Sequence, residues 1–215
     1  MNRLTVRDAS GTAGFFLFML SHLAVGSADA LDIIVRDQHG QPLGDAVVFA
    51  ARADVPSLVS NGQAIIDQIG KQFSPRVSAV AAGTLVSFPN KDDIKHHVYS
   101  FSPAKVFQLK LYHGVMAEPV LFDKPGLVTM GCNIHDGMIA YLYVVDTPYF
   151  GLTAVTGTVQ LHDLVPGEYV LTAWHYQMTA MDSVASQHVT VTVSSPPIEL
   201  SVALSDEQHL PPPLE

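Results

Sequence analysis

The feature that most constrains the fold is a succession of short β-branched and aromatic runs. LDIIVRD, AVVFAAR, VSAV, LVSF, VFQLKLY, LVTMGC, IAYLYVVD, GTVQLHDL, YVLTAWH, HVTVTV and IELSVAL follow one another from Leu31 onward. Turn signals such as HGQPLGD, AAGT, KPG, VPGE and SSPP fall between them. Such runs suit a pleated, half-buried surface better than a helix. In VFQLKLY the alternation puts Val106, Gln108, Lys110 and Tyr112 on one face and Phe107, Leu109 and Leu111 on the other. Only Val55–Gly70 offers a weak helical alternative. Many short strands punctuated by Gly and Pro predict an all-β chain built from sandwiches. Residues 206–215, which include HLPPPLE, are expected to form a solvent-facing, disordered tail.

The N-terminus bears on compartment. Arg3 and Arg7 precede the apolar run AGFFLFMLSHLAV, and Ala28-Asp29-Ala30 then gives an A-x-A cleavage pattern. That is the layout of a secretory signal peptide over residues 1–30, cleaved after Ala30. The apolar run is shorter than the roughly 20 residues that span a bilayer, which disfavours a retained anchor. Cleavage leaves roughly 185 residues, room for one large or two small domains. The formal net charge of the chain is −9. Such an acidic export product is a poor ligand for nucleic acid or anionic lipid and suits cationic protein partners.

A single cysteine, Cys132, excludes an internal disulfide. A lone thiol in an oxidising compartment is a liability unless something holds it. It stands in GCNIHDGM, with His135 three positions on and Met138 six. A thiolate, two imidazoles and a weak axial thioether form the donor set that selects copper for one-electron transfer. Other readings compete. Cys132 is alternatively a buried structural thiol, or a catalytic thiol paired with histidine, for which no orienting group or oxyanion site is evident. Zinc would take Cys132, His96, His135 and Asp136 and ignore the thioether.

The stretch from Phe73 to Val145 resembles the cupredoxins, small exported blue-copper proteins of the amicyanin and plastocyanin kind. The resemblance is carried by Phe73-Ser74-Pro75, Gly83, Val86, Phe88, Asn90, His96-His97-Val98, Phe122, Pro125-Gly126, Cys132, His135, Met138 and Val144-Val145. It implies a Greek-key β-sandwich over 65–147 holding one type 1 copper ion on His96, Cys132, His135 and Met138. Neighbours on a strand face opposite ways, so only one of His96 and His97 points inward. The family's spacing from Asn90 favours His96, with the backbone N–H of His97 directed at the Cys132 sulfur. The resemblance also implies that His135 protrudes through an apolar patch formed with Ile134, Gly137 and Met138. Asp92 and Asp93, flanked by Lys91 and Lys95, read as a solvated turn.

VRDQHGQPLGDAVVFA looks like the opening of a carboxypeptidase regulatory-like, transthyretin-type β-sandwich, whose usual continuation stands about a hundred residues later as TAVTGTVQLHDLVPGEYVLTAWH. The expected organisation is one sandwich from 31–60 and 148–205 with 65–147 inserted. A single elongated sandwich or two domains in series remain open. The function implied is a periplasmic electron carrier, not an enzyme, serving a cytochrome c or quinoprotein dehydrogenase. The whole string resembles proteins labelled as methylamine utilisation proteins. A copper storage, delivery or sensing protein without redox turnover is the alternative. His175, beside Trp174, is expected to pack in the second sandwich or line an interface.

Overall fold

The computed structural model describes residues 30–114, 118–180 and 183–205; the expected signal peptide, apart from Ala30, and the C-terminal tail lie outside them. The described residues are all-β, in seventeen strands, with no helix among them.

Seven strands form one pair of sheets. The first sheet runs β14 (Thr158–His162), β1 (Ala30–Asp37), β17 (Ile198–Val202). The second runs β13 (Phe150–Leu152), β2 (Val47–Ala51), β15 (Gly167–Trp174), β16 (Ala185–Val191). Alternation decides which side chains meet between them: Leu31, Ile33 and Val35 of β1 are buried with Tyr169, Leu171 and Ala173 of β15 in one core. β2 lies antiparallel to β15, with Val47 opposite Trp174 and Ala51 opposite Val170, so segments far apart in the chain share a ladder.

The middle of the chain forms the second pair. A three-stranded sheet runs β10 (Val120–Phe122), β7 (Thr84–Ser87), β3 (Gln63–Ile65). A five-stranded sheet runs β6 (Val77–Ala81), β12 (His135–Val145), β11 (Gly126–Cys132), β8 (His96–Ser102), β9 (Lys105–Tyr112). The hairpin of β4 (Asp67–Ile69) and β5 (Gln72–Ser74) completes it. Phe88, Val98, Phe122, Val128, Met130, Met138 and Leu142 fill its core, together with Cys132. The β6–β7 turn requires glycine, since Gly83 has φ +93 and a Cβ there would stand 2.2 Å from the Ser60 carbonyl oxygen.

Two expectations are corrected. Residues 55–70 contain β3 and β4 and no helix. Ile66 and Gln68 turn inward while Ile65 faces out, and the amides of Ile66 and Gln68 donate to Ser87 and Pro89 carbonyls, a period-2 pattern that a neighbouring strand completes. In β9 the alternation breaks. Val98 pairs with Leu109, but His96 pairs with Tyr112, so one extra β9 residue is accommodated between these pairs. That bulge leaves Leu111 52% exposed and turns Tyr112 inward, onto Gln68 and the Phe88 carbonyl.

β12 is buried on both faces. Met138, Ala140, Leu142 and Val144 point into the middle core. Tyr141 and Tyr143 meet Trp174 with ring centroids 5.8 and 5.6 Å apart, and Tyr141 stacks on Tyr176 at 5.5 Å. Arg76 sits over the Tyr176 ring at 4.8 Å. Each aromatic pair adds on the order of 0.5–1.5 kcal/mol beyond area burial, so the two pairs of sheets are firmly joined.

His175 lies beside this joint, 1% exposed, with its ring 4.4 Å from that of Tyr176. Burial lowers its pKa to about 4, against the opposing pull of Asp45 and the Gly44 backbone. The unfolded chain therefore binds this proton more readily than the folded one. Stability from this group is complete above the unfolded value of about 6.5 and is lost as pH falls toward the folded value, by about 3 kcal/mol in total. Urea unfolding of the metal-free chain at pH 7 and pH 4.5 is expected to show this loss. His175→Gln should remove that part of the pH dependence, and an unchanged difference between the two pH values would contradict the assignment.

Candidate metal centre

Three strand ends build the site. β8 begins at His96, β11 ends at Cys132, and β12 begins at His135. Cys132 pairs with Val98 on one side and with His135 across the two-residue Asn133–Ile134 turn on the other. The ladder shifts register between Gly131 and Cys132. The turn is fastened to β8 by the Asn133 amide, which donates to the His97 carbonyl at 3.2 Å. Gly131 lies close beside it: a Cβ there would stand 3.1 Å from the end of the Tyr99 ring, which would have to shift by a few tenths of an ångström.

The His96 Nδ1 lies 3.7 Å from the Cys132 Sγ, and the His135 Nδ1 lies 3.7 Å from the same sulfur. All three donor atoms fall within 4.8 Å of one another. Nitrogen and sulfur ligands about 2.0–2.3 Å from a common ion stand roughly 3.5–3.8 Å apart in trigonal or tetrahedral arrangements, so the separations fit a shared metal. His96 is completely buried and Cys132 is 5% exposed, whereas His135 is only partly buried and adjoins Ile134, 48% exposed. Met138 is buried, three residues beyond His135 on β12, in the same core as Cys132.

The two adjacent histidines face opposite ways. His96 points to Cys132, while the His97 Nε2 meets the Gln108 Nε2 at 2.6 Å on the outer face of β9. Asp136, the carboxylate a zinc site would recruit, is exposed and does not join the donor group. His113, His162 and His188 are exposed, Met130 and Met178 are buried in the cores, and Met116, Met181 and His209 lie outside the described residues.

Asp92 departs from its expected place in a solvated turn. Its side chain is 11% exposed, and its Oδ2 lies 2.7 Å from the His96 Nε2. The Gly70 and Lys71 amides donate to its two oxygens at 2.6 and 2.9 Å. Burial pushes the carboxyl upward, but the Lys71 amide, His96 and the Gly70 amide together hold it below the ordinary carboxylate value. Asn90 supports the same segment: its Oδ1 accepts from the Asp92 amide, and its Nδ2 donates to the Ile94 and Tyr112 carbonyls. The only sequence signal for Asp92 was its spacing four before His96, which outside a helix fixes no geometry. Burial, with His96 and Lys71 nearby, also lowers the pKa of His135, against the pull of Asp92. A neutral imidazole keeps its nitrogen lone pair available to a metal.

No protein-family model matches the chain, and no curated protein does. Solved structures are similar in part. A purple cupredoxin from Nitrosopumilus maritimus is 22% identical, with 39% of this chain covering 98% of that one at a TM-score of 0.33. An amicyanin variant is 18% identical, with 44% of this chain covering 97% of that one at 0.35. A copper-containing nitrite reductase from Thermus scotoductus is 19% identical, with 53% of this chain covering 28% of that one at 0.37.

The unequal burial of the two imidazoles has a measurable consequence. His135→Gly opens the site toward solvent, and added imidazole is expected to restore Cu(II) binding, read by visible absorption. His96→Gly leaves a hole in the interior that imidazole does not reach, so no comparable recovery is expected. Equal rescue of both variants would contradict this placement.

Proposed function

We propose that this chain is an exported copper protein of the cupredoxin kind that carries single electrons, with one type 1 ion held by His96, Cys132, His135 and Met138. The supporting observation is the convergence of one thiol and two imidazole nitrogens at strand ends, with a buried methionine on the adjoining strand and no carboxylate in the group. The thiolate and thioether are soft donors, and this set favours copper over zinc. Copper bound there would supply one-electron redox chemistry.

The chain's own residues do the rest. β8, β11 and β12 hold the donors in one continuous ladder, so little rearrangement accompanies a change of charge. Buried His96 and Cys132 keep bulk water from one side of the centre. The partly exposed ring of His135, beside exposed Ile134, offers the short route for electrons to a docked partner. The acidic chain suits a cationic partner, for which a periplasmic cytochrome c or a quinoprotein dehydrogenase is proposed. Such docking is transient and uses a small interface. Storage or delivery is the weaker reading, because the burial of His96 and Cys132 opposes rapid hand-over of the metal.

The proposed organisation places 65–147 as a copper-binding sandwich inserted into a carboxypeptidase regulatory-like sandwich of 31–60 and 148–205. The β2–β15 ladder and the separate cores support it. Export rests on the basic, apolar and small-residue pattern of residues 1–30. A role related to methylamine utilisation is proposed from sequence resemblance alone.

Addition of Cu(II) to the chain without its first 30 residues tests the reading. An intense visible thiolate-to-copper band is expected, lost in Cys132→Ser and His96→Ala and kept in His97→Ala. Met138→Leu should keep the band and shift the reduction potential, which the axial ligand tunes. Copper binding without that band, or its loss in His97→Ala alone, would overturn the assignment.

A further inference from the structure

The nitrogen of His96 that faces away from Cys132 meets a carboxylate inside the protein. Where Nδ1 binds a metal, the proton of the neutral ring resides on Nε2, and this Nε2–H donates to Asp92 Oδ2 across 2.7 Å. Asp92 is itself immobilised. Gly70 and Lys71, at the turn of the β4–β5 hairpin, both have left-handed backbones, with φ +61 and +58. That conformation directs their two amides at the carboxylate. Asn90 fixes the Asp92 backbone from the other side. A carboxylate held by two amides, with only 11% of its side chain exposed, has little freedom to leave His96.

Resting on the copper reading above, we propose that Asp92 is the positioning residue of this centre: it locks His96 as an Nδ1 donor and lowers the reduction potential. Its anionic hydrogen bond makes the imidazole a stronger donor, as partners of metal-bound histidines do. A negative charge one imidazole away also favours the more highly charged Cu(II) over Cu(I). The β4–β5 hairpin, remote in sequence from Cys132, becomes part of the metal site through those two amides.

Asp92→Ala and Asp92→Asn test this, with potentials read by voltammetry and Cu(II) and Cu(I) affinities by competition. Cu(II) affinity is expected to fall about 10–100-fold in Asp92→Ala. The preference for Cu(II) over Cu(I) should drop about tenfold, equivalent to a rise of about 59 mV in a one-electron potential. Asp92→Asn should raise the potential in the same direction, because the charge is lost although one acceptor oxygen remains. Asp92→Glu should recover part of the shift. A lone role in folding the hairpin would change stability and leave the potential unmoved; that outcome overturns the proposal.

A metal-free measurement separates this inference from the copper reading. Nitrogen-15 NMR of the unaltered chain should show the neutral His96 ring protonated on Nε2, with that preference weakened in Asp92→Ala. A ring protonated on Nδ1 in the unaltered chain would overturn the positioning role whether or not copper binds. Failure of the unaltered chain to bind copper would instead sink the proposed function, and the potential-tuning half of this proposal with it.

Discussion

The double burial of β12 is the constraint on which the rest depends. The strand begins at His135 and ends at Val145. One face supplies Met138, Ala140, Leu142 and Val144 to the middle core, and the other stacks Tyr141 and Tyr143 on Trp174. It is also flanked on both edges, by β11 antiparallel and by β6 parallel. A one-residue slip would exchange its two faces, sending tyrosines into a core that holds Phe88 and Phe122 and taking Met138 out of it. Register is therefore set by packing along the whole strand. The positions of His135 and Cys132 are inherited from that register.

This origin explains how the fold itself brings the donor cluster together. Bringing a thiol and two imidazoles together from a flexible loop would cost conformational entropy, on the order of 1–2 kcal/mol for each backbone residue fixed. Here that cost is met by folding, since two of the donors end or begin strands of one ladder and the third begins β8. The polar groups beneath the site show the same economy of placement. Asn90 and Asp92 are buried or nearly so, and each has backbone partners. An unpaired buried polar group costs about 1–3 kcal/mol. The two turns that carry Asp92 and Gly70–Lys71 are thus specified by one another.

Much of this was legible in the sequence because the strands alternate. Leu31, Ile33 and Val35, or His96, Val98 and Ser100, are buried at every second position, as a half-buried strand requires. The short spacing of Cys132 and His135 suffices to place both at one turn, and the alternation at HHV allows only one of the two histidines to face them. What was not legible depends on partners distant in sequence. The stretch 55–70 offered a weak helical alternative because its strands are completed only by β7 and β5. The inward turn of Tyr112 comes from a bulge opposite His96 and Val98, which no periodicity in VFQLKLY announces. Asp92 looked like one charge in a run of four; only the hairpin at Gly70 removes it from water.

The same dependence on distant partners accounts for the asymmetry of the centre. His96 begins β8, fully buried and paired with Tyr112 of β9, where the β4–β5 hairpin closes over Asp92. His135 follows a two-residue turn whose Ile134 has nothing packed over nearly half its surface. One imidazole is consequently held rigidly within the protein, and the other is available at its surface. The electron-carrying role proposed above needs both properties, and they conflict in any single side chain. The β-sheet resolves the conflict by assigning them to histidines on different strands, joined through the sulfur that lies 3.7 Å from each.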